Sequence, residues 1–280
     1  MGCNKRWLAA LIYLLTTPAL AGSLVCDAQG DLFFTFPEPG KHARVWTYDG
    51  KGQARLAFEP LQLQGGLSLT TDPEGTLYVM ETRDFQAWGE FEVVVWKGKH
   101  KRTLVWPKWR KRGDLKHLLV DGQGIIYWVQ GNALMRRETA GKISIDSVNR
   151  GGPVRLSKVQ GMAWGANGQL TILDNGSLFR RKTGGGLGMI RTTQIPHGLG
   201  LSVEVEGSWL VADQSSGRIM RLAEQGQPQT VYSSPADWKL SGFCSGDQLF
   251  VLETGPGGAR VVSVGKDGQS KPLCKVTPGS

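Results

Sequence analysis

The sequence predicts an all-β protein, a six-bladed β-propeller built from four-stranded antiparallel blades. Six times along the 280 residues, a glycine turn is followed by a short apolar run that ends in a polar or aromatic residue. Successive turn glycines lie 39 to 49 residues apart. A β-type repeat near this length is typical of a propeller with one repeat per blade. The turn glycines are Gly30, Gly75, Gly124, Gly168, Gly207 and Gly246.

Each repeat can be divided into four strands, most clearly the fifth. Its predicted strands are 200–205, 208–212, 218–222 and 229–233, where β-branched and aromatic residues alternate with polar ones. The chain contains 39 glycines and 13 prolines, which suits many short strands joined by tight turns. A single β-sandwich needs fewer than the roughly 24 strands that this division gives.

The order of the strands determines on which of the two faces of the propeller each connection lies. Connections from second to third strands share one face with connections from fourth strands to the next blade, and we call this the loop face. By analogy with other propellers, the loop face is where a ligand is expected. The chain is predicted to begin with an innermost strand and to end with 271–276 as an outermost one. No exchanged strand would then close the ring.

The first 21 residues are predicted to be a cleaved signal peptide, followed by one propeller domain over 22–280. Lys5 and Arg6 precede an apolar stretch over 7–15 that is too short to span a bilayer. Ala19-Leu20-Ala21 is typical of a signal-peptidase site. We therefore expect an exported, periplasmic or secreted protein without a stable membrane span.

Three cysteines remain after cleavage, namely Cys26, Cys244 and Cys274. An oxidising compartment permits one disulfide among them, and three pairings are possible. A Cys26–Cys244 disulfide is favoured, because both residues fall on predicted innermost strands of blades that meet where the ring closes. Three buried thiols are the alternative, since free cysteine is often simply buried.

A basic and aromatic set of residues is predicted on the loop face. The formal net charge of +9 favours anionic partners, which for an exported protein are envelope glycans or proteins rather than nucleic acid. Cationic groups beside indoles suit a carboxylated or phosphorylated ligand with a flat apolar face. The candidate ligand-binding residues are Arg83, Trp88, Trp109, Arg110, Lys111, Arg112, Lys116, Arg155, Lys158, Gln160, His197 and Trp238. A solvated positive face is the alternative interpretation.

The residues of repeat five resemble an NHL repeat. They are Pro196-His-Gly-Leu-Gly200, Glu206-Gly-Ser-Trp-Leu-Val-Ala-Asp213 and Ser216-Gly-Arg-Ile-Met220. The resemblance covers most of 24–276 at the level of a superfamily that includes NHL scaffolds and gluconolactonase-like calcium enzymes. It implies a six-bladed propeller. The calcium enzymes hold their metal with a glutamate, two asparagines and an aspartate, and this set is missing from the predicted first strands here.

Two further patterns leave alternatives open. Three histidines fall on the loop face of alternate blades, namely His42, His117 and His197, and three imidazoles would suit zinc. We expect no metal or other cofactor. If a metal is bound, these histidines are its candidate ligands. Acidic residues recur at second-strand ends, as at Asp174, Asp213 and Glu253. They are predicted to accept hydrogen bonds from the amides of the loop that follows rather than to form a cation-binding ring.

The sequence thus predicts an exported, NHL-like binding module that recognises an anionic ligand on its loop face. The alternative function is a metal-dependent hydrolase or lyase of the lactonase type, with a divalent metal at the propeller axis. No nucleophile elbow, phosphate loop or metalloprotease motif is found in the sequence.

Overall fold

The six repeats fold as six sheets. The computed structural model describes residues 23–27, 29–36, 44–48, 50–58, 68–82, 91–97, 100–105, 115–146, 156–165, 167–183 and 186–277. They form 24 strands in six four-stranded antiparallel sheets, which confirms the predicted fold class. Within these ranges, no helix has the length and apolar character needed to cross a membrane.

Each blade takes four consecutive strands in chain order. Blade one contains β1 (Ser23–Cys26), β2 (Leu32–Thr35), β3 (Val45–Tyr48) and β4 (Ala54–Phe58). Blade two contains β5 (Ser68–Thr71), β6 (Leu77–Thr82), β7 (Phe91–Lys97) and β8 (His100–Val105). Blade three contains β9 (Leu115–Val120), β10 (Ile126–Gln130), β11 (Ala133–Arg137) and β12 (Ile143–Ile145).

The second half of the chain repeats this order. Blade four contains β13 (Val159–Trp164), β14 (Leu170–Asp174), β15 (Ser177–Arg181) and β16 (Leu187–Thr192). Blade five contains β17 (Gly198–Val203), β18 (Trp209–Asp213), β19 (Arg218–Leu222) and β20 (Gln229–Ser233). Blade six contains β21 (Lys239–Ser245), β22 (Leu249–Gly255), β23 (Gly258–Val264) and β24 (Ser270–Val276).

The apolar core lies between the blades. First strands of consecutive blades contact one another all the way round, and β1 contacts β21, so the first strands form the inner wall of a closed ring. Six apolar clusters fill the six interfaces between neighbouring blades. Trp209 of blade five, for example, packs with Leu173 and Leu178 of blade four. Removing such apolar surface from water is the main stabilising contribution to the ring.

Recurrent turns connect first to second strands. Asp27, Asp72 and Asp121 each accept two backbone N–H groups through Oδ1, from the residues two and four positions later. The glycine three positions after each aspartate adopts a positive φ of 75° to 86°. Glycine reaches this conformation without the steric cost that a Cβ imposes, which accounts for its recurrence in the repeat.

Among the described residues, each blade is built from its own four strands, and no strand is exchanged where the ring closes, as the sequence predicted. β1 is the innermost strand of blade one, and β24 is the outermost strand of blade six. The predicted bounds of β19 and β20 are confirmed. β17 begins at Gly198, two residues earlier than predicted, because a bulge between Gly198 and Gly200 lets Gly198 pair with Asp213.

Candidate functional site: the loop face and the central channel

The inner wall encloses a central channel of about 340 Å³. First strands of all six blades line it, and each of them begins at the loop face and runs towards the opposite face. The channel mouth on the loop face is therefore surrounded by the first residues of these strands. In the first four blades a polar residue lies within the first three positions of this strand: Ser23, Ser68, His117 and Gln160.

These four polar residues link each blade to the next. Ser23 accepts the Leu69 amide at 3.3 Å, and Ser68 accepts the Leu118 amide at 3.0 Å. Nε2 of His117 contacts the Val159 carbonyl at 3.0 Å, and Nε2 of Gln160 donates to the Pro196 carbonyl at 2.9 Å. The blade–blade interface at the channel mouth is thus stabilised by side-chain bonds to backbone groups that would otherwise be desolvated.

Gln160 and His117 share a structural position that the sequence did not reveal. In β9 and β13 the pairing register skips them, so both occupy a β-bulge. Gln160 is 5% exposed, and its Oε1 accepts the Gly176 amide at 2.8 Å while its Nε2 is bound to Pro196. Both ends of its amide are therefore used within the protein. His117 has a φ of +52°, a conformation that is uncommon for residues other than glycine.

The acidic residues at second-strand ends have different partners in each blade. Asp213 accepts bonds from Ser215 and Ser216 in the following loop, as predicted. Burial alone would raise the pKa of Asp213, but these hydrogen bonds outweigh it and hold the pKa below its usual value. Asp174 instead accepts the amides of Ser157 and Lys158, which precede the first strand of the same blade. The carboxylate therefore fixes the entry to blade four rather than the loop after it.

Glu253 is the most deeply buried of these carboxylates. It is fully buried, accepts the Tyr232 hydroxyl at 2.9 Å and forms an ion pair with Nε of Arg260 at 2.7 Å. Burial, and then the carboxylate beside it, raise the pKa of Tyr232, so its hydroxyl remains a donor. Because Tyr232 belongs to blade five, this network joins blades five and six. A buried charge is tolerated here because it is paired and hydrogen-bonded.

Trp238 lies on the connection between blades five and six, next to Arg260 of this network. The Arg260 guanidinium is 4.0 Å from the centre of its indole, and the Lys275 ammonium is 5.9 Å away. Glu253, Arg260 and Lys275 are directly opposite one another on β22, β23 and β24. The half-buried indole is consequently held in place by a cation on its face, within the range of a cation–π interaction.

The exposed charges of the loop face are cationic at several positions. Lys158, Lys239 and Lys275 are exposed there, as is Asp237, whereas the carboxylates of Asp174 and Glu253 are 4% and 0% exposed. Sequence reasoning identified Lys158 and Trp238 on this face but missed Arg260 and Lys275, which come from third and fourth strands. Their proximity to Trp238 depends on the strand register.

Several of the sequence candidates fall outside the described residues. They are His42, Arg83, Trp88, Trp109, Arg110, Lys111, Arg112 and Arg155. Lys116 lies in β9, but its side chain is not described. His197 is exposed on the connection from blade four to blade five, and its carbonyl accepts the Gln214 amide.

The described residues do not fit the divalent metal considered from the sequence. Nε2 of His117 already contacts a backbone carbonyl, and Gln160 uses both amide atoms. In the part of the chain that the structure describes, no three His, Cys, Asp or Glu side chains come together in a way that would hold a metal ion. These side chains therefore give no support to a metal at the channel mouth.

The cysteines predicted to pair lie on adjacent innermost strands, as expected. Cys26 is in β1, and Cys244 is in β21. In the structure none of Cys26, Cys244 and Cys274 forms a disulfide. The Cys26–Cys244 disulfide stays a prediction.

Comparison with known proteins yields matches in structure only. No protein-family model matches the chain, and no curated protein matches its sequence. Virginiamycin B lyase from Staphylococcus aureus superimposes with a TM-score of 0.60 at 14% identity, covering 92% of this chain and 85% of the lyase. A protein described as a gluconolactonase gives 0.59 at 15% identity, covering 87% of this chain and 85% of that one.

A third structural match is an extracellular domain. The extracellular domain of a one-component system from B. thetaiotaomicron gives a TM-score of 0.54 at 12% identity, covering 92% of this chain and 33% of that one. Identities this low show the fold alone, and one fold hosts many unrelated functions. The chain thus has the six-bladed propeller fold that gluconolactonase-like and virginiamycin-B-lyase-like proteins also have.

Proposed function

We propose that this chain is an exported binding module that recognises an anionic ligand, an envelope glycan or protein, on its loop face. The observation that carries the proposal is the pair of exposed lysines beside Trp238, Lys239 and Lys275, next to which Asp237 is exposed and Glu253 is buried. Lys239 and Lys275 are exposed, while the neighbouring Glu253 is fully buried and neutralised by Arg260. An approaching ligand therefore meets positive charge beside a half-exposed indole.

The opposite face carries charges of both signs. Its turns carry Asp27, Asp72 and Asp121, each partly exposed and bound through Oδ1 to backbone amides. An anionic ligand is repelled by such carboxylates and attracted by the lysines of the loop face. With a net charge of +9, the whole chain attracts anions. The opposite face also carries exposed lysines, at Lys142, Lys182 and Lys266, so what distinguishes the loop face is the placement of its lysines beside the Trp238 indole.

The chemistry around Trp238 favours an acidic sugar among anionic ligands. A pyranose ring has a flat apolar face that packs on an indole, and its carboxylate binds lysine ammonium groups. Arg260 contacts both the Trp238 indole and the Glu253 carboxylate. It therefore holds the indole in place and does not offer a free positive charge to the ligand. The lyase and lactonase neighbours keep the enzymatic alternative open, but no described residue favours it specifically.

Charge reversal on the two faces tests this proposal. The triple variant Lys158→Glu, Lys239→Glu, Lys275→Glu is expected to weaken binding to polygalacturonate by roughly tenfold or more, because each exposed ion pair contributes about 0.2–1 kcal/mol. Isothermal titration at 50 mM and 500 mM salt measures the affinity. Wild-type binding is expected to weaken steeply with salt, since the Debye length is about 3 Å at 1 M and about 10 Å at 0.1 M.

A matched control makes the same change of charge on the opposite face. Lys142, Lys182 and Lys266 are exposed in third-to-fourth-strand turns. Replacing these three by glutamate is expected to leave most of the affinity, and dextran, a neutral glucan, is expected not to bind. Equal losses from both triple variants would show that net charge, not the loop face, governs binding. Salt-independent binding, or none, would contradict the proposal.

Export is proposed on the basic start, the apolar stretch over 7–15 and Ala19-Leu20-Ala21, all of which lie outside the described residues. Expression of the full chain in a bacterial host is expected to yield a processed protein in the periplasm or medium. Intact-mass measurement should give a chain that begins at Gly22. A cytoplasmic product that retains residues 1–21 would contradict export.

A further inference from the structure

The contact between blade six and blade one involves two thiols. Cys26 in β1 and Cys244 in β21 lie on neighbouring innermost strands, and both side chains pack in the apolar cluster between blades six and one. The Cys26 sulfur also lies 3.9 Å from the position that a Cβ on Gly246 would take. Both cysteines line the channel near the end opposite the loop face.

This is the interface where the ring has no exchanged strand. At four of the other blade interfaces, Ser23, Ser68, His117 and Gln160 bond to the backbone of the following blade or of the connection that leads to it. Between blade six and blade one, the contact between first strands includes Cys244 and Cys26. The two residues are separated by most of the chain, so a covalent bond between them would enclose nearly the whole propeller.

We infer that Cys26 and Cys244 are a thiol pair built to form a disulfide that locks blade six to blade one, and that Cys274 takes no part in this disulfide. Cys26 is partly exposed at the channel wall, so a small oxidant reaches it, whereas Cys244 and Cys274 are buried. The disulfide lies at the seam of the ring and does not depend on the ligand proposed for the loop face.

The two thiols differ in acidity, and this difference assigns them different roles in disulfide formation. The hydrogen bond from Cys244 lowers the pKa of Cys26, while burial raises the pKa of Cys244. A thiolate is the attacking species in thiol–disulfide exchange. Cys26 is therefore the attacking group, and Cys244 is the residue that resolves the intermediate.

The exchange balances with a small disulfide, such as oxidised glutathione, as the oxidant. The Cys26 thiolate attacks one glutathione sulfur, the glutathione S–S bond breaks, and one reduced glutathione leaves. Cys244 then loses its proton and attacks the Cys26 sulfur of the mixed disulfide, which releases the second glutathione. The two cysteines lose two electrons and two protons in total, and the oxidant gains them.

Peptide mapping tests the pairing directly. The full chain is incubated with oxidised glutathione, free thiols are alkylated, and the unreduced digest is analysed by mass spectrometry. A linked pair of peptides containing Cys26 and Cys244, with Cys274 alkylated, is expected. Reduction is expected to lower Tm by roughly 5–10 °C, because the cross-link restricts a very long loop of the unfolded chain.

Two variants separate this pairing from the two other disulfides that three cysteines allow. Cys274→Ser should keep the linked peptides and the drop in Tm on reduction, whereas Cys26→Ser should lose both. If Cys26→Ser does not fold, the mapping of the wild type and Cys274→Ser still decides the result. A disulfide that includes Cys274, or alkylation of all three thiols after oxidation, would overturn the inference.

Discussion

Replacing Arg260 by methionine is expected to lower the free energy of unfolding by about 3–5 kcal/mol, because it leaves a buried carboxylate without its partner. Glu253 is fully buried, and Arg260 Nε lies 2.7 Å from Oε2. In the variant, Tyr232 supplies the only remaining hydrogen bond among those that the structure describes for this carboxylate. Urea unfolding at pH 7 measures the loss. The indole of Trp238 also loses its stacked guanidinium, so quenching of its fluorescence should change.

Arg221→Met is the matched control. The Arg221 guanidinium binds Glu204 at 2.7 Å through both Nε and Nη2, but its side chain is 46% exposed. Loss of this solvent-exposed pair is expected to cost no more than about 1 kcal/mol. The double variant Glu253→Gln, Arg260→Met should be more stable than Arg260→Met alone, since no unpaired charge remains. Equal costs for Arg260→Met and Arg221→Met would refute the role assigned to burial.

The blade architecture could be predicted because its signals are local in sequence. A turn needs an aspartate or glycine at a fixed position, and a strand needs apolar and polar residues to alternate over about five residues. Asp72, for instance, bonds to amides two and four residues later, which the repeat encodes within one turn. The outer strands of blade five were therefore predicted with their observed bounds.

The candidate site was predicted less completely, because its contacts join residues that are distant in sequence. Gln160 was interpreted as a ligand-binding residue, yet it bonds to Pro196, 36 residues later, and to Gly176. His117 likewise contacts Val159, 42 residues away. A single sequence does not specify which backbone group faces a polar side chain across a blade interface. The one available signal was the recurrence of a polar residue at the start of first strands.

Lys275 and Arg260 show a second limit of prediction from the sequence. Both were missed because only the register of β22, β23 and β24 places them beside Trp238 and Glu253. The position of a residue within a repeat predicts the face on which it lies. It does not predict which residues of other strands stand opposite, since a bulge shifts the register by one residue. β23 and β24 contain such a shift between Val261 and Val262.

Gly161→Ala is expected to destabilise the ring by about 1–3 kcal/mol or more, because the added methyl group has no room between blades four and five. A Cβ at Gly161 would stand 2.6 Å from the Leu201 nitrogen and 2.8 Å from the Gly200 carbonyl carbon. Both atoms belong to the backbone of β17, so no side-chain rotation relieves the clash. Blade five must move away from blade four, and this movement separates the apolar side chains that pack between the two blades.

Gly122→Ala separates this clash from the general effect of replacing glycine. Gly122 has no positive φ, and the nearest atom to its added Cβ is Pro73 Cγ at 3.9 Å, an ordinary contact. Both substitutions restrict the unfolded chain alike, which by itself stabilises by about 0.4–1 kcal/mol. Urea unfolding should therefore show Gly122→Ala at or slightly above wild-type stability and Gly161→Ala well below it. If the two variants unfold at the same urea concentration, then blades four and five do not approach each other as closely as the structure shows.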